Sequence, residues 1–316
     1  MSSMMRPVRG GFVESAMRLS HLADVAISVI MVVYKTGPAL EESLRRVLAD
    51  HQVDEFIVVE NGASAEEAAW IDAAAARDTR VTVLRGQGNV GFARGCNMGV
   101  GAAHGRTIVI LNPDAFLEPG CLAALQTALD HPGDPELRLV GARVLNEDGS
   151  EQRGARRGEV TASTTFFSLT RLSSLPMFRE YEIHHEHDLE PDVPVRVPTI
   201  SGACFAMKRS QFAAVGGFDT GFFLHVEDVD LCWRVRKSGG EVLFHPGARV
   251  THLGSTSHTH PMKVEFHKGI GLARYFAKRA ETTPRRLMAY ALGGPIIAVS
   301  VMRPLLRRIT GAGWLR

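Results

Sequence analysis

Three carboxylates, Glu227, Asp228 and Asp230, fall within four residues of one another, directly after Phe222, Phe223 and Leu224, in the stretch GFFLHVEDVDLCWRVRKSGG (221–240). Like charges this close repel, and the apolar run beside them makes each harder to ionise. A helix is expected from Val226 to Ser238, stopped by Gly239-Gly240. Acids in its first turn would face the positive end of the helix dipole, which is a purely structural use. That use accounts for Asp230, because Arg234 stands four residues on with the acid on the N-terminal side. It leaves Asp228 without a basic residue three or four positions later. The expectation is a carboxylate of raised pKa, able to take a proton from a hydroxyl.

Other polar groups sit where apolar runs end. LNPDA (111–115) places Asp114 two residues past a run, where a carboxylate could bind a hard divalent cation or simply shape a turn. VVENGAS (58–64) ends on Glu60 and Asn61, a turn or a contact to a base or ribose. GQGNVG (86–91) matches G-x-G-x-x-G, with Asp114 lying 23 residues past Gly91. That spacing admits an NAD-dependent dehydrogenase, yet the motif follows the third strand rather than the first. Its glycines indicate a close approach of backbone to something, with Asn89 and Asn97 as neutral hydrogen-bonding groups. VTHLGSTSH (250–258) puts His252 at another strand end. The EIHHEHDLEPD cluster reads as a solvated loop rather than a metal site, since it lies on no regular element.

The elements that must position these groups come in two styles. ISVIMVVY (27–34), EFIVVE (55–60), VTVLR (81–85) and TIVILN (107–112) are short β-branched runs suited to buried parallel strands. Between them lie helical stretches, one opening with Ser64 and Glu67 at capping-box spacing. Further helices are expected at about 92–104, 118–131 and 263–278. Such alternation implies an open α/β sheet with ligands beyond the carboxyl ends of its strands. Residues 150–197 are polar and Arg-rich with little periodicity.

The chain has 316 residues, 45% hydrophobic and 22% charged, which is enough for a full core. A formal charge of +2 is too small to argue for nucleic acid. Cys96, Cys121, Cys204 and Cys232 are scattered without C-x-x-C spacing, so a reducing cytoplasm is expected. Residues 1–25 lack the apolar core of a secretory signal and read as a lead-in. Leu287 to Met302 is an uncharged run of 16 residues with arginines on both sides and Gly293, Gly294 and Pro295 within it. It is short for a spanning helix, which needs roughly 20 apolar residues, and suits either an interfacial anchor or a buried terminal helix pair.

Taken in order, VVENGAS, NVGFARGCNMG, LNPDA, SGACFAMKRSQFAAVGGFD, FFLHVEDVDLCWR and VTHLGSTSH resemble family 2 glycosyltransferases, most of all the rhamnosyltransferase-type branch that builds bacterial surface polysaccharide. The resemblance covers about residues 26–280. It implies the GT-A fold: an α/β half for the nucleotide (26–115) and an acceptor half (116–280), followed by a basic amphipathic tail (281–316) that would contact membrane. It implies donor contacts from Val33, Tyr34, Glu60, Asn61, Asn89, Gly91, Asn97, Asn112 and Asp114. Asn112 and Asp114 match the D-x-D position that holds Mg²⁺ or Mn²⁺, with Asn in place of the first Asp, and His252 matches a residue that completes the metal site. Gly202 and Ala203 fall on the acceptor side. Asp228 matches the catalytic base, with Glu227 beside it. The reaction so implied is a single displacement with inversion. Its donor would be a nucleotide sugar, best dTDP-L-rhamnose, and its acceptor a saccharide or lipid-linked saccharide hydroxyl at the cytoplasmic face of the inner membrane. The Q-x-x-R-W motif of processive members is absent, so one sugar per encounter is expected.

Overall fold

The computed structural model describes residues 25–310 apart from 134, 171, 255 and 257–259, so nearly all of the expected lead-in and the last six residues lie outside it. Eleven strands and nine α-helices follow one another along these described residues. The first half alternates as its β-branched runs require: β1 (Ile27–Val33), α1 (Ala39–Ala49), β2 (Glu55–Glu60), α2 (Ala65–Arg77), β3 (Val81–Leu84), α3 (Phe92–Ala102) and β4 (Thr107–Leu111). Every residue of β1 and β4 is buried, as a strand covered on both faces demands. Ser64 and Glu67 form the expected capping box. The same Glu67 carboxylate also accepts the Thr36 and Gly37 amides, so it shapes the loop after β1 as well as capping a helix.

The chain continues through β5 (Ala115–Leu117), α4 (Cys121–Asp130), β6 (Arg138–Leu145), β7 (Arg156–Arg157), α5 (Ala162–Thr170), β8 (Val195–Arg196), β9 (Thr199–Ile200) and β10 (Cys204–Lys208). It ends with α6 (Arg209–Ala214), α7 (Glu227–Lys237), β11 (Glu241–His252), α8 (Pro261–Arg279) and α9 (Thr283–Thr310). Nine strands form one sheet in the order β3-β2-β1-β4-β10-β6-β11-β5, with β8 paired to β11. Parallel pairing rules from β3 to β4, whereas β10 runs antiparallel to both β4 and β6. The sheet is therefore mixed; the main hydrophobic core runs through both halves, and a second, smaller cluster gathers Val160, Ile183, Phe222, Val226, Val229, Leu272 and Tyr275.

The polar stretch after residue 150 is not a bare loop. It builds α5, two 3-10 turns at Leu172–Ser174 and Pro176–Tyr181, and a small sheet of β7 with β9. All four cysteines are buried as free thiols. The apolar run at the C-terminus lies on α9, 28 residues long, and Gly293, Gly294 and Pro295 do not interrupt it. Contacts of Gly269 with Ile297 and of Ala273 with Gly293 make α8 and α9 an antiparallel pair. Of the two readings of this run, the helix pair is present, but Leu287, Met288, Tyr290, Leu292, Val299 and Met302 stay exposed on its outer side. No described helix is long and apolar enough to cross a membrane.

Candidate active site

Asp114 and His252 are 138 residues apart in sequence, and strand register brings them together. β5 pairs antiparallel with the end of β11 so that Ala115 faces His252. His252 Nε2 then lies 3.1 Å from Asp114 Oδ1. The Thr256 hydroxyl donates to Asp114 Oδ2 at 2.9 Å. Burial works against charge on Asp114, but the contacts with His252 and Thr256 outweigh it and hold the carboxyl below its ordinary value. Gln152 Oε1 sits 2.7 Å from His252 Nδ1 and accepts its N–H, which fixes the ring with Nε2 facing Asp114. A contact this close is favourable when positive charge lies between the two atoms, as a proton on Nε2 or as a cation held by both. A carboxylate and an imidazole nitrogen, with phosphate oxygens to complete the shell, fit Mg²⁺ or Mn²⁺. Asn112 does not add a charge; its Nδ2 lies 3.3 Å from His252 Nε2. Among the described residues no three His, Cys, Asp or Glu side chains converge as a cation cage, so Asp114 and His252 are the pair that could hold a cation here.

The loop after β3 is closed by an amide latch. Asn61 Nδ2 donates to Asn89 Oδ1 at 3.1 Å, Asn61 Oδ1 accepts the Val90 amide at 2.9 Å, and Asn89 Oδ1 also accepts the Gly91 amide. Gly91 has φ +85°, and a Cβ there would stand 2.7 Å from the Phe223 carbonyl oxygen. The close approach expected of the glycine-rich loop is thus made by the protein's own chain at Phe223, from the stretch that carries the three acids. Gly95 and Gly99 let α3 press onto β1, since added Cβ atoms would meet Val32 and Ile30 at 2.9 and 2.4 Å. Glu60 ends β2 and pairs with Arg85 at 3.1 Å, while Tyr34 packs over Gly62.

Two expected donor contacts have other work. Both polar atoms of Asn97 clamp the backbone of Phe218, at 2.8 and 2.9 Å, so Asn97 holds the turn before the acid cluster. The Val33 side chain is buried in the core, and its carbonyl accepts the Asn61 amide.

Asp228 stands on the other side of a two-residue bridge. The Ala203 carbonyl accepts the Asn112 amide at 2.8 Å, and the next amide back, Gly202, donates to Asp228 Oδ2 at 3.2 Å. A Cβ on Gly202 would come within 3.2 Å of Asp228 Cβ. The expectation that Asp228 lacks a cation is overturned: Arg157 Nη2 lies 2.6 Å from Oδ2, and the Val229 amide caps Oδ1 at 2.8 Å. Sequence spacing along one helix could not show Arg157, which arrives from β7. Beside Asp228, the Glu227 carboxyl is pushed up to about 8 by burial and by the Asp228 charge. Asp230 is fully buried between Arg234 at 2.7 Å and Lys278 at 2.8 Å, which ties α7 to α8.

Just before these acids, His225 and Val226 both adopt left-handed backbone, with φ of 67° and 71°. A β-branched residue rarely accepts that geometry, and such strain, of order 1–3 kcal/mol per residue, persists only where surrounding packing enforces it. Phe223 stacks on His267 and contacts Gly91, and Phe222 is buried beneath Arg274 and Lys278. These contacts enforce the strained turn and aim Asp228 at the bridge. Gln152, Thr256 and Arg157 complete the site and were not singled out from sequence. The only signal for Arg157 was the basic richness of its segment. A separate depression of about 440 Å³ lies at the start of β11, the opposite end of that strand from His252, and has no part in this arrangement.

The glycosyl transferase family 2 model matches residues 28–215, and a model described as the N-terminal domain of galactosyltransferase matches residues 184–259. The chain is 29% identical over 257 residues to an N-acetylglucosaminyl-diphospho-decaprenol L-rhamnosyltransferase of Mycobacterium tuberculosis, covering 73% of this chain and 76% of that protein. It is 26% identical over 215 residues to a low-salt glycan biosynthesis hexosyltransferase of Haloferax volcanii, covering 67% of this chain but only 62% of that relative's length. A mannosyltransferase of Pyrobaculum calidifontis solved with GDP-Man and Mn²⁺ superposes with a TM-score of 0.55 at 17% identity, over 96% of this chain and 84% of that one. GalNAc-T7, solved with UDP, GalNAc and Mn²⁺, gives 0.56 at 15% identity, over 88% of this chain and 57% of that one.

Proposed function

This chain belongs to glycosyl transferase family 2, and from that premise we propose that it is an inverting, non-processive glycosyltransferase of GT-A fold that moves one sugar from a nucleotide-sugar donor to an acceptor hydroxyl. One observation carries the reading. Asn112, two residues before Asp114, and Asp228 are hydrogen-bonded to two consecutive residues, Ala203 and Gly202, which keeps the Asp114–His252 pair near Asp228 and supports a diphosphate side next to a base side.

Asp228 takes the proton from the acceptor hydroxyl. The freed oxygen attacks the anomeric carbon from the face opposite the leaving group. The bond from that carbon to the nucleoside diphosphate breaks, and its electron pair stays on the phosphate oxygen. Arg157, the Gly202 amide and the Val229 amide hold the base in place while this happens. Asp114 and His252 would hold the divalent cation, which when bound supplies countercharge for the diphosphate. Glu60 and Tyr34 flank the nucleotide side, next to the latch of Asn61, Asn89 and Gly91. The similarity to the mycobacterial enzyme supports L-rhamnose as the sugar and a lipid-linked saccharide as acceptor; dTDP as its carrier and the cytoplasmic face of the membrane as its place belong to the same proposal.

A thermal-shift panel of NAD and of UDP-, GDP- and dTDP-sugars, with and without Mn²⁺, tests this. A nucleotide sugar should stabilise the protein more with Mn²⁺, and Asp114→Ala should abolish that increment. Stabilisation by NAD alone would favour the dehydrogenase reading and end this one.

A further inference from the structure

Beside Asp228 a cavity of about 340 Å³ opens between the 153–184 segment, the strained turn and α8. Arg153, Arg157 and Lys268 bring three cations to its wall, and Asp228 is the one carboxylate lining it. Glu186 stands 3.9 Å from Arg153 Nε but does not line the cavity, and Glu182 is turned onto Ser173 and the amides of Ile183 and His184. Three polar atoms on lining residues are buried without a hydrogen-bond partner among the described residues: Thr165 Oγ1, His184 Nδ1 and Arg157 Nε. Thr165 is only 6% exposed, so bulk water does not serve it. Buried polar groups are rarely left unpaired, and these three belong to side chains that line one cavity. Their chemistry gives the guest's sign. The guanidinium N–H and the hydroxyl can donate, and with Ser168 Oγ 3.4 Å from His184 Nε2, the opposite ring nitrogen is free to donate as well.

Burial and the same cations act on two lining histidines. His184 is pushed down to about 3 by burial and then by Arg153 and Arg157, and His225 to about 4 by burial and then by Lys268. Both are neutral donors or acceptors at neutral pH, so they add hydrogen bonds rather than charge.

We infer that this cavity is an anion subsite that receives a phosphate or diphosphate carried by the acceptor, placing the acceptor hydroxyl against Asp228. The inference rests on the glycosyltransferase reading only in assigning the anion to the acceptor. Arg157 belongs to both sites, since one face holds Asp228 and its Nε looks for another partner. The lining also carries the apolar side chains Val160, Val226 and Leu272, which suit the non-phosphate part of such a molecule.

The test is calorimetric titration of inorganic pyrophosphate into the full chain in EDTA, alongside titration of UDP, GDP and dTDP with Mn²⁺. In the Arg153→Gln/Lys268→Gln variant pyrophosphate should bind about tenfold more weakly or worse, while nucleoside diphosphate binding is unchanged. Thr165→Val, which removes one hydroxyl and little volume, should weaken pyrophosphate alone and guards against misfolding of the double variant. Transfer to a monosaccharide on octyl diphosphate should fall in these variants, and transfer to the neutral octyl glycoside should not. Pyrophosphate affinity within about twofold of wild type in both variants, or no binding to the wild type, overturns the subsite. If pyrophosphate binds as expected but no nucleoside diphosphate does, the subsite stands and the glycosyltransferase reading falls.

Discussion

At the scale of single residues, the three neighbouring acids divide their roles by environment. Asp230 is a tie between helices, Glu227 a buried acid kept protonated, and Asp228 an ion-paired, amide-capped carboxylate facing a cavity. Asp228→Asn keeps the size and one acceptor oxygen but removes the proton acceptor. It should fold normally and lose about 10²–10⁴-fold in turnover, with donor binding unchanged, as single-turnover transfer assays would read. Near-normal turnover would sink the assignment. For Glu227 the folded carboxyl is pushed up to about 8 from an ordinary 4.5, so between those values the folded chain holds a proton that the unfolded chain has released. The stability this contributes is complete below the ordinary value and is lost as pH rises through about 8. Urea midpoints of wild type should therefore decline from about pH 5 to about pH 8, and Glu227→Gln should flatten that decline. Parallel slopes would place the proton elsewhere.

At the scale of elements, the site depends on loops that touch one another across the sheet. The Gly91 loop after β3 and the Phe223 turn before α7 meet at backbone distance, and Asn97 on α3 clamps that turn. Gly91→Ala puts a Cβ both at positive φ and against the Phe223 carbonyl, so it should cost on the order of 1–3 kcal/mol in chemical denaturation. It should also weaken nucleotide binding and transfer together, because one displacement moves both sides. Wild-type stability in that variant would mean the contact is slack. Strand and helix identity were legible here: β2 matches its apolar run residue for residue, and the capping box at Ser64 starts α2 as its spacing requires. The meeting of the two loops was not legible, because contact between residues 91 and 223 depends on strand order.

At the scale of the whole molecule, one mixed sheet passes through both halves, with antiparallel β10 seated between β4 and β6. The C-terminal hairpin of α8 and α9 adds an apolar outer face to the same side of the chain that lends Lys268 and Leu272 to the cavity. Whether this face meets an anionic lipid surface is open to a direct test. Leu287→Glu/Tyr290→Glu changes only exposed positions on α9, so it should leave thermal stability intact. It should lower co-sedimentation with phosphatidylglycerol vesicles severalfold, and unchanged co-sedimentation would dismiss membrane contact through this face.

The sequence by itself determined the parallel strands, the helix starts, the ends of strands where chemistry could sit, and the family resemblance, because periodicity, capping and motif order are properties of neighbouring residues. It also marked Asp114, Asp228 and His252. Only the tertiary structure decided who stands beside them: His252 beside Asp114 through the β5–β11 register, and Gln152 behind His252. Arg157 reaches Asp228 from β7, and Asn97 is withdrawn from the donor site to clamp Phe218. These partners are separated by 71 to 138 residues, or by 100 for Gln152 and 121 for Asn97. At such separations spacing along the chain carries no distance information, and strand order and packing alone set who meets whom.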